Sequence, residues 1–276
     1  MDKCPCGLKK MNYRLIATDI DGTLLDDEGI LPINTYQAAA YLEEKGIRLV
    51  LCTGRPLLGV LKIYDDLKLT SPIVTNNGAM VYLSKNGPLI HHETMSIDDA
   101  LHVIALNDIL NCTICMWHNN ILYVSQLNKY AYDYASITGV TPLLLDQIDL
   151  RKCDNGPTKF VFTDTLEKIT SIKETAAKLS PSSVTAVTTR PYFLEFFSSS
   201  ISKATALSKI SEVLGIKREQ IISVGDGFND IDMLDYAGFA VAADNSHDEV
   251  KKHADMIACS NNEGIIAYIV ENLIKK

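Results

Sequence analysis

The sequence lacks an uninterrupted apolar run of about 20 residues, the length that a helix needs to cross a lipid bilayer. Residues 1–10 lack the apolar stretch of a signal peptide, and we expect them to form a flexible leader before Met11. Basic residues are not in excess, since 26 Lys and Arg stand against 34 Asp and Glu, a net charge of -8. We therefore expect a soluble, cytoplasmic protein without a nucleic-acid or membrane partner.

The seven cysteines lack the regular spacing of a disulfide framework, so reduced thiols are expected. Cys112 and Cys115 form a C-x-x-C pair, a spacing that in other settings indicates zinc or redox chemistry. This segment has the pattern of a strand, in which side chains three residues apart point to opposite faces. The pair is therefore not expected to bind one metal ion.

Short apolar strands alternate with helices near both ends of the 276-residue chain, which is 47% apolar and long enough for one or two domains. This alternation predicts an α/β core, a parallel sheet covered by helices on both faces. The predicted strands are Tyr13–Ile20, Ile47–Cys52, Ile73–Thr75, Ile221–Val224 and Phe239–Ala242, and the helices include Leu57–Leu67, Ala204–Leu214 and Asp230–Tyr236.

The pattern between residues 84 and 192 differs, with longer strands that can pair as hairpins. Strands are predicted at Cys112–Trp117, Ile121–Gln126, Lys159–Thr163, Val184–Thr189 and Phe193–Ser198, and helices at Ile97–Leu110 and Leu166–Leu179. We predict a second, α+β domain at 84–192, inserted into a core formed by 1–83 and 193–276.

Four polar clusters follow predicted core strands: Asp19–Thr23, Thr53–Arg55, Asn76–Gly78 and Gly225–Asp230. The carboxyl ends of parallel strands share one edge of a sheet, so these clusters can converge there. Each cluster alone also has an ordinary explanation as a turn or a helix cap. Together, however, they would place several carboxylates side by side, which a hard divalent cation such as Mg²⁺ would neutralise.

In order along the chain, these segments match a set of known motifs. They are DIDGTLL at Asp19–Leu25, TGR at Thr53–Arg55, NNGA at Asn76–Ala79, the lysine of SISKATAL at Lys203, and GDGFNDIDML at Gly225–Leu234. From Met11 onward the chain resembles the haloacid dehalogenase (HAD) superfamily of phosphatases, specifically its Cof-type branch, subclass IIB. The resemblance implies a Rossmann-like α/β core with an inserted α+β cap domain of the C2B type.

The resemblance also implies catalytic roles. Asp19 would be the nucleophile that forms an aspartyl-phosphate, and Asp21 would be the general acid and then the general base. If the segment stays extended, both side chains face the same way. Thr53 would bind the phosphoryl oxygens, and Lys203 would offset the negative charge of Asp19 and the phosphate.

A magnesium ion would, by the same resemblance, be held by Asp19, by the main-chain carbonyl of Asp21, and by Asp226 with support from Asp230. The implied substrate-binding residues are Gly54, Arg55, Asn77 and Asn229. The loop after Val241 departs from the pattern of the family, so no role is assigned to it.

The expected activity is Mg²⁺-dependent hydrolysis of a small phosphomonoester, either a sugar phosphate or a cofactor or nucleotide-like phosphate. One alternative is a sugar-phosphate mutase, whose cap would have to hold a second phosphate. The segment 85–192 contains 9 Lys and Arg against 11 Asp and Glu, which favours hydrolysis mildly. The other alternative is a non-catalytic metabolite-binding module, although no carboxylate or lysine of the motifs is missing.

The cap segment offers a few aromatic and histidine side chains that could contact a leaving group. They are Trp117, His118, Tyr123, Tyr130 and Tyr134. Packing is the competing explanation, since aromatic pairs four residues apart on a helix commonly pack against each other.

Overall fold

The computed structural model of the chain describes residues 12–276, so the predicted leader at 1–10 lies outside the described residues. The strands of this part are β1 (Leu15–Thr18), β2 (Arg48–Cys52), β3 (Ile73–Thr75), β4 (Met80–Tyr82), β5 (Leu89–His92), β6 (Thr113–His118), β7 (Ile121–Val124), β8 (Leu143–Leu144), β9 (Lys159–Thr163), β10 (Val184–Arg190), β11 (Phe193–Ser198), β12 (Ile221–Gly225), β13 (Phe239–Ala242) and β14 (Met256–Ile257). The α-helices are α1 (Ile33–Glu44), α2 (Leu58–Asp66), α3 (Ile97–Leu110), α4 (Lys129–Thr138), α5 (Leu166–Leu179), α6 (Lys203–Leu214), α7 (Ile231–Tyr236), α8 (Asp248–Lys251) and α9 (Ile265–Ile269).

The first compact unit comprises residues 12–53, Lys62–Ile90 and Ser202–Lys276. Its sheet has the strand order β14-β13-β12-β1-β2-β3-β4-β5, and the pairs from β14 through β3 are parallel. The central strand β1, with the sequence LIAT, is buried along its whole length, as expected for a parallel strand covered on both faces. The predicted fold class, an α/β core with a parallel-rich sheet, is confirmed.

The carboxyl ends of four of these parallel strands carry the polar clusters. Asp19 follows β1, Thr53 follows β2, Asn76 follows β3, and Asp226 follows β12. Since β12, β1, β2 and β3 are consecutive neighbours in the sheet, the four chain segments leave it side by side. The order of the strands thus brings together residues that are up to about 200 positions apart in sequence.

The second compact unit comprises Gly54–Leu61 and His91–Ile201. Its sheet has the order β10-β11-β9-β6-β7-β8, antiparallel except for the pair β7 and β8. Side chains alternate between its faces: Phe160 and Phe162 lie in one apolar cluster with residues of α3 and α5, whereas Val161 lies in another with residues of α4. Cys112 belongs to the first cluster and Cys115 to the second, so the two thiols lie on different sides of the sheet.

The second unit differs from the sequence prediction at its boundaries and in one helix. Strand β11 belongs to it, because β11 pairs with both β10 and β9, and the chain returns to the first unit at Ser202 instead of 193. Helix α4 had not been predicted. It begins at Asn128, whose side chain accepts a hydrogen bond from the backbone N–H of Ala131, and it ends at Gly139 with φ of 72°.

In the part of the chain that the structure describes, no helix combines the length and the apolar character needed to span a membrane.

The burial of the cysteines predicts their reactivity. Burial raises the pKa of Cys112 to about 11 and that of Cys115 to about 12, so little thiolate forms near pH 8. Cys153 is only partly buried. We expect iodoacetamide at pH 8 to label Cys153 in the native protein and to label Cys115 only after unfolding in urea, as measured by peptide mass spectrometry. Labelling of native Cys115 at the rate of Cys153 would contradict this account.

Candidate active site

Asp19 and Lys203 form a buried ion pair in the first unit. The backbone N–H of Asp19 donates to the carbonyl of Val224 on β12 at 2.9 Å, which fixes the chain at the end of β1. Lys203 is the first residue of α6, and its side chain is fully buried. Its Nζ pairs with Oδ1 of Asp19 and, at 2.6 Å, with Oδ1 of Asp230. One ammonium group therefore serves two buried carboxylates.

Asp230 is held through both of its carboxylate oxygens. While Oδ1 accepts from Lys203, Oδ2 accepts from the backbone N–H groups of Asp226 at 3.0 Å and Gly227 at 2.9 Å. Asp226 in turn accepts a hydrogen bond of 2.6 Å from the hydroxyl of Thr23. Asp230 thus ties the loop after β12 to Lys203, and Thr23 orients Asp226.

Carboxylate oxygens of Asp19, Asp226 and Asp230 lie within 4.8 Å of one another. Carboxylate oxygens are the ligands that a hard divalent cation takes in proteins, and Mg²⁺ needs only one or two of them beside water and substrate. The donor set therefore fits such an ion. Because both oxygens of Asp230 already accept hydrogen bonds, Asp19 and Asp226 are the better placed direct ligands.

Burial raises the pKa values of two carboxyl groups of this cluster, Asp19 and Asp226. Desolvation, reinforced by the neighbouring Asp230 and Asp226 and opposed by Lys203, raises the pKa of Asp19 to about 8. Desolvation also raises the pKa of Asp226 to about 6, against the hydrogen bond from Thr23. Burial disfavours the charge of Lys203, but Asp19 and Asp230 outweigh it and raise the pKa of this lysine. A bound cation would supply the positive charge that these carboxylates require.

Asp21 lies in a turn, so the conditional expectation of an extended segment is not met. The backbone N–H groups of Leu24 and Leu25 both donate to the carbonyl of Ile20, and Gly22 has φ of 81°. Ile20 is buried and Asp21 is exposed. The turn forms because Gly22 tolerates the left-handed conformation. Strand alternation therefore does not determine the direction of the Asp21 side chain relative to Asp19.

Thr53, Asn77 and Asn229 lie in one hydrogen-bonded set at the same edge. The carbonyl of buried Thr53 accepts from the backbone N–H of Asn77 at 2.9 Å. The side chain of Asn229 donates to Oδ1 of Asn77 at 3.1 Å. Asn77 has φ of 58°, a left-handed conformation that asparagine adopts more readily than most residues. Two predicted substrate-binding residues are thus in direct contact.

Gly78 determines how closely the start of α6 approaches this turn. A Cβ atom at Gly78 would lie 2.1 Å from the carbonyl oxygen of Ser202, the residue before Lys203. Ser202 caps α6 by accepting from the backbone N–H of Thr205. Because Gly78 has no side chain, the start of α6 can lie close enough for Lys203 to reach Asp19.

The loop after β13 also supports the site, although sequence reasoning gave it no role. The backbone N–H of Ala243 donates to the carbonyl of Gly225 at 3.1 Å, and the side chain of Asn245 donates to the carbonyl of Gly22 at 2.8 Å. Thr23 was likewise missed as an orienting residue. The position of Thr23 in the DIDGTLL motif could have indicated its role. No sequence pattern indicates the contact of Asn245 with Gly22, which lies more than 200 residues away.

Gly54 and Arg55, the other predicted substrate-binding residues, belong to the second unit. The guanidinium of Arg55 donates to the carbonyl of Gly59 at 3.2 Å. Of the aromatic candidates, Trp117 and Tyr134 are buried and hydrogen-bonded to each other at 2.8 Å. Tyr134 also packs edge-on against Phe193. These two side chains therefore belong to the core of the second unit.

The sequence model of the haloacid dehalogenase-like hydrolase family matches residues 16–270. The chain belongs to this family. It is 30% identical to the 5-amino-6-(5-phospho-D-ribitylamino)uracil phosphatase YcsE of Bacillus subtilis (strain 168) over 265 residues, 96% of this chain and 97% of that protein. The chain belongs to the HAD-like family, and its relative YcsE is a phosphatase. Together these findings identify the chain as a phosphoric monoester hydrolase.

Two solved structures show the same fold as this chain. The structure of TM0651 from Thermotoga maritima superposes with a TM-score of 0.83 at 28% identity, covering 94% of this chain and 97% of that one. The subclass IIB sugar phosphatase BT4131 gives a TM-score of 0.79 at 22% identity, covering 94% and 98%. The predicted membership of the haloacid dehalogenase superfamily is confirmed by the family model.

The close approach of Gly22 to Asp226 generates a testable prediction. A Cβ at Gly22 would lie 2.5 Å from Oδ2 of Asp226, whereas a Cβ at Gly29 would meet nothing within 4 Å, although φ is similar at 81° and 76°. Gly22→Ala and Gly29→Ala should each cost about 1–2 kcal/mol of backbone strain. Only Gly22→Ala should also lower the affinity for Mg²⁺, by about 10- to 100-fold, measured by calorimetric titration. Equal affinities in the two variants would count against a metal site at Asp226.

The raised pKa values generate a second prediction. With pKa values of about 8 for Asp19 and about 6 for Asp226, protons compete with a cation between pH 6 and 8. The apparent affinity for Mg²⁺ should therefore rise with pH over this range, and binding should release protons. Titration calorimetry at pH 7 in two buffers with different ionisation enthalpies measures that release. Binding without proton release, at an affinity independent of pH, would contradict the prediction.

Proposed function

We propose that this chain is a Mg²⁺-dependent phosphatase that transfers the phosphoryl group of a small phosphomonoester to Asp19 and then to water. The observation that carries the proposal is the buried Asp19 carboxylate, ion-paired with Lys203 and surrounded by Asp226 and Asp230. A carboxylate so fixed is a suitable nucleophile, because hydrolysis through a covalent intermediate divides one difficult step into two easier ones.

The first step forms an aspartyl-phosphate. A carboxylate oxygen of Asp19 bonds to phosphorus while the bond from phosphorus to the ester oxygen breaks. Asp21, acting as the general acid, gives its proton to that oxygen, so the alcohol leaves neutral. Its exposed position in the turn after β1 leaves Asp21 accessible to a substrate.

The second step regenerates the enzyme. Asp21, now a carboxylate, takes a proton from a water molecule as the water attacks phosphorus. The bond between phosphorus and Asp19 breaks, and inorganic phosphate leaves. Asp21 is protonated again and ready for the next substrate, so the two steps balance.

Charge stabilisation supplies most of the catalysis in phosphoryl transfer. Lys203 holds Asp19 in place and offsets its charge, and the hydroxyl of Thr53 would donate a hydrogen bond to a phosphoryl oxygen. Asp19, Asp226 and the main-chain carbonyl of Asp21 would hold the Mg²⁺ ion, with Asp230 as support. When bound, the ion neutralises negative charge shared between the carboxylates and the substrate phosphate.

The proposed substrate is a sugar phosphate or a cofactor or nucleotide-like phosphate. The relative YcsE, named for a phosphoribitylamino-uracil, supports a small metabolite that carries one phosphate ester. Gly54, Arg55, Asn77 and Asn229 are the proposed substrate-binding residues. A sugar-phosphate mutase would use the same first step, so the products have to distinguish the two activities.

The proposal predicts phosphate release that depends on both Mg²⁺ and Asp19. A panel of sugar, nucleotide and cofactor phosphomonoesters should yield inorganic phosphate with Mg²⁺ and none after chelation by EDTA. Asp19→Asn should reduce the release to background, because an amide cannot act as the nucleophile. Asp66→Asn, which changes an exposed aspartate at the end of α2, should keep wild-type activity.

Two results would refute the proposal. One is phosphate release that survives in Asp19→Asn, and the other is release unchanged by chelation. Phosphorus NMR of the same reactions separates hydrolysis from transfer, since a mutase would convert one sugar phosphate into its positional isomer and release little inorganic phosphate.

A further inference from the structure

A buried lysine and glutamate form an ion pair in the sheet of the second unit. Lys159 on β9 is 4% exposed, and Glu195 on β11 is 7% exposed. Their side chains meet at 3.1 Å between Nζ and Oε2. The mechanism proposed above uses neither residue.

The strand register explains why the two side chains meet. Glu195 is paired with Val161, so it shares a face with Val161 and with Lys159, two positions earlier on the same strand. On β10 the register shifts around Thr189, whose hydroxyl donates to Oε1 of Glu195 at 2.9 Å. Each carboxylate oxygen of Glu195 therefore has a partner, Oε2 in Lys159 and Oε1 in Thr189, and these two contacts fix the carboxylate.

The ammonium group of Lys159 has a second acceptor far away in the sequence. Its Nζ lies 3.3 Å from the carbonyl oxygen of Gly54. Gly54 belongs to the segment Gly54–Leu61, which contacts the rest of the second unit and directly follows Thr53. Lys159 thus contacts the main chain of a proposed substrate-binding residue.

Stability alone is a poor explanation for this arrangement. Removing two charges from water costs several kcal/mol for each ion, and apolar residues of similar size commonly replace a buried ion pair without loss of stability. Val161 and Phe193, in the apolar cluster on the same face, show that such residues fit there. What an apolar pair would not supply is a cation directed at the Gly54 carbonyl.

We propose that Lys159, fixed by Glu195, is a positioning residue for substrate phosphate, acting through the carbonyl of Gly54. This inference rests on the proposed function. Because a peptide group is planar, fixing the carbonyl of Gly54 also fixes the N–H of Arg55 on the opposite side of the peptide plane. Backbone N–H groups are effective donors to phosphoryl oxygens only when they are held in place.

The test compares Lys159→Met with Lys173→Met, which changes an exposed lysine on α5 of the same unit. The measured quantities are the inhibition constant of inorganic phosphate, kcat and KM on the best substrate of the panel, and the affinity for Mg²⁺. Lys159→Met should raise the inhibition constant by about 10- to 100-fold, the scale of a small misplacement of binding groups. Its Mg²⁺ affinity should stay unchanged, since the carboxylates near the metal site lie on other elements. Lys173→Met should match the wild type in every quantity.

Glu195→Gln provides a second variant if Lys159→Met does not fold. The amide keeps the shape of the side chain but removes the charge that fixes the ammonium, so the inhibition constant should rise by a smaller factor. Wild-type inhibition constants in the variants that fold would overturn the inference, as would a parallel loss of Mg²⁺ affinity, which indicates a general structural effect. Failure of the proposed function is a separate result, because it appears in the wild type and in Asp19→Asn.

Discussion

Asp19 and Asp230 can be buried side by side because one ammonium group, that of Lys203, ion-pairs with both. Two carboxylates without that charge would repel each other and take up protons. Even with it, the pKa of Asp19 stays raised, because burial disfavours the charge of this carboxylate and the neighbouring Asp230 and Asp226 add to that effect. A divalent cation bound beside these carboxylates would offset their negative charge.

Main-chain contacts near Lys203 position the groups of this ion pair. The start of α6 approaches the turn after β3 so closely that only glycine fits at position 78. Asp230 connects Lys203 to the loop after β12 through two main-chain N–H groups, and that loop carries Asp226. Asp19, Lys203, Asp230 and Asp226 therefore belong to one hydrogen-bonded assembly. A substitution of any of these residues should disturb the others. The effects of two such substitutions on the free energy of unfolding are therefore not expected to add.

Strands with a strong pattern were predictable from the sequence: Ile73–Thr75, Lys159–Thr163 and Phe193–Ser198 have the predicted bounds. The strand ends that carry Asp19, Thr53 and Asp226 were predictable too, because buried strands followed by polar turns leave a clear signal. Contacts over long separations were not, such as that of Asn245 with Gly22 or of Lys159 with Gly54. Each of these contacts joins a side chain to a main-chain carbonyl far away in the sequence, and such a pair leaves no periodic pattern. The shared facing of Asp19 and Asp21 depended on an extended segment, and the turn at Gly22 removes that condition.

The account centres on a covalent step at Asp19, and the most direct test is to detect that intermediate. Wild-type protein mixed with a slowly hydrolysed phosphomonoester and Mg²⁺ is quenched in acid, digested and analysed by mass spectrometry. The account predicts a phosphoryl group on the peptide that contains Asp19, located on that aspartate by fragmentation and absent from Asp19→Asn. A phosphoryl group on another residue, or turnover without any phosphorylated peptide under conditions that preserve acyl phosphates, would contradict it.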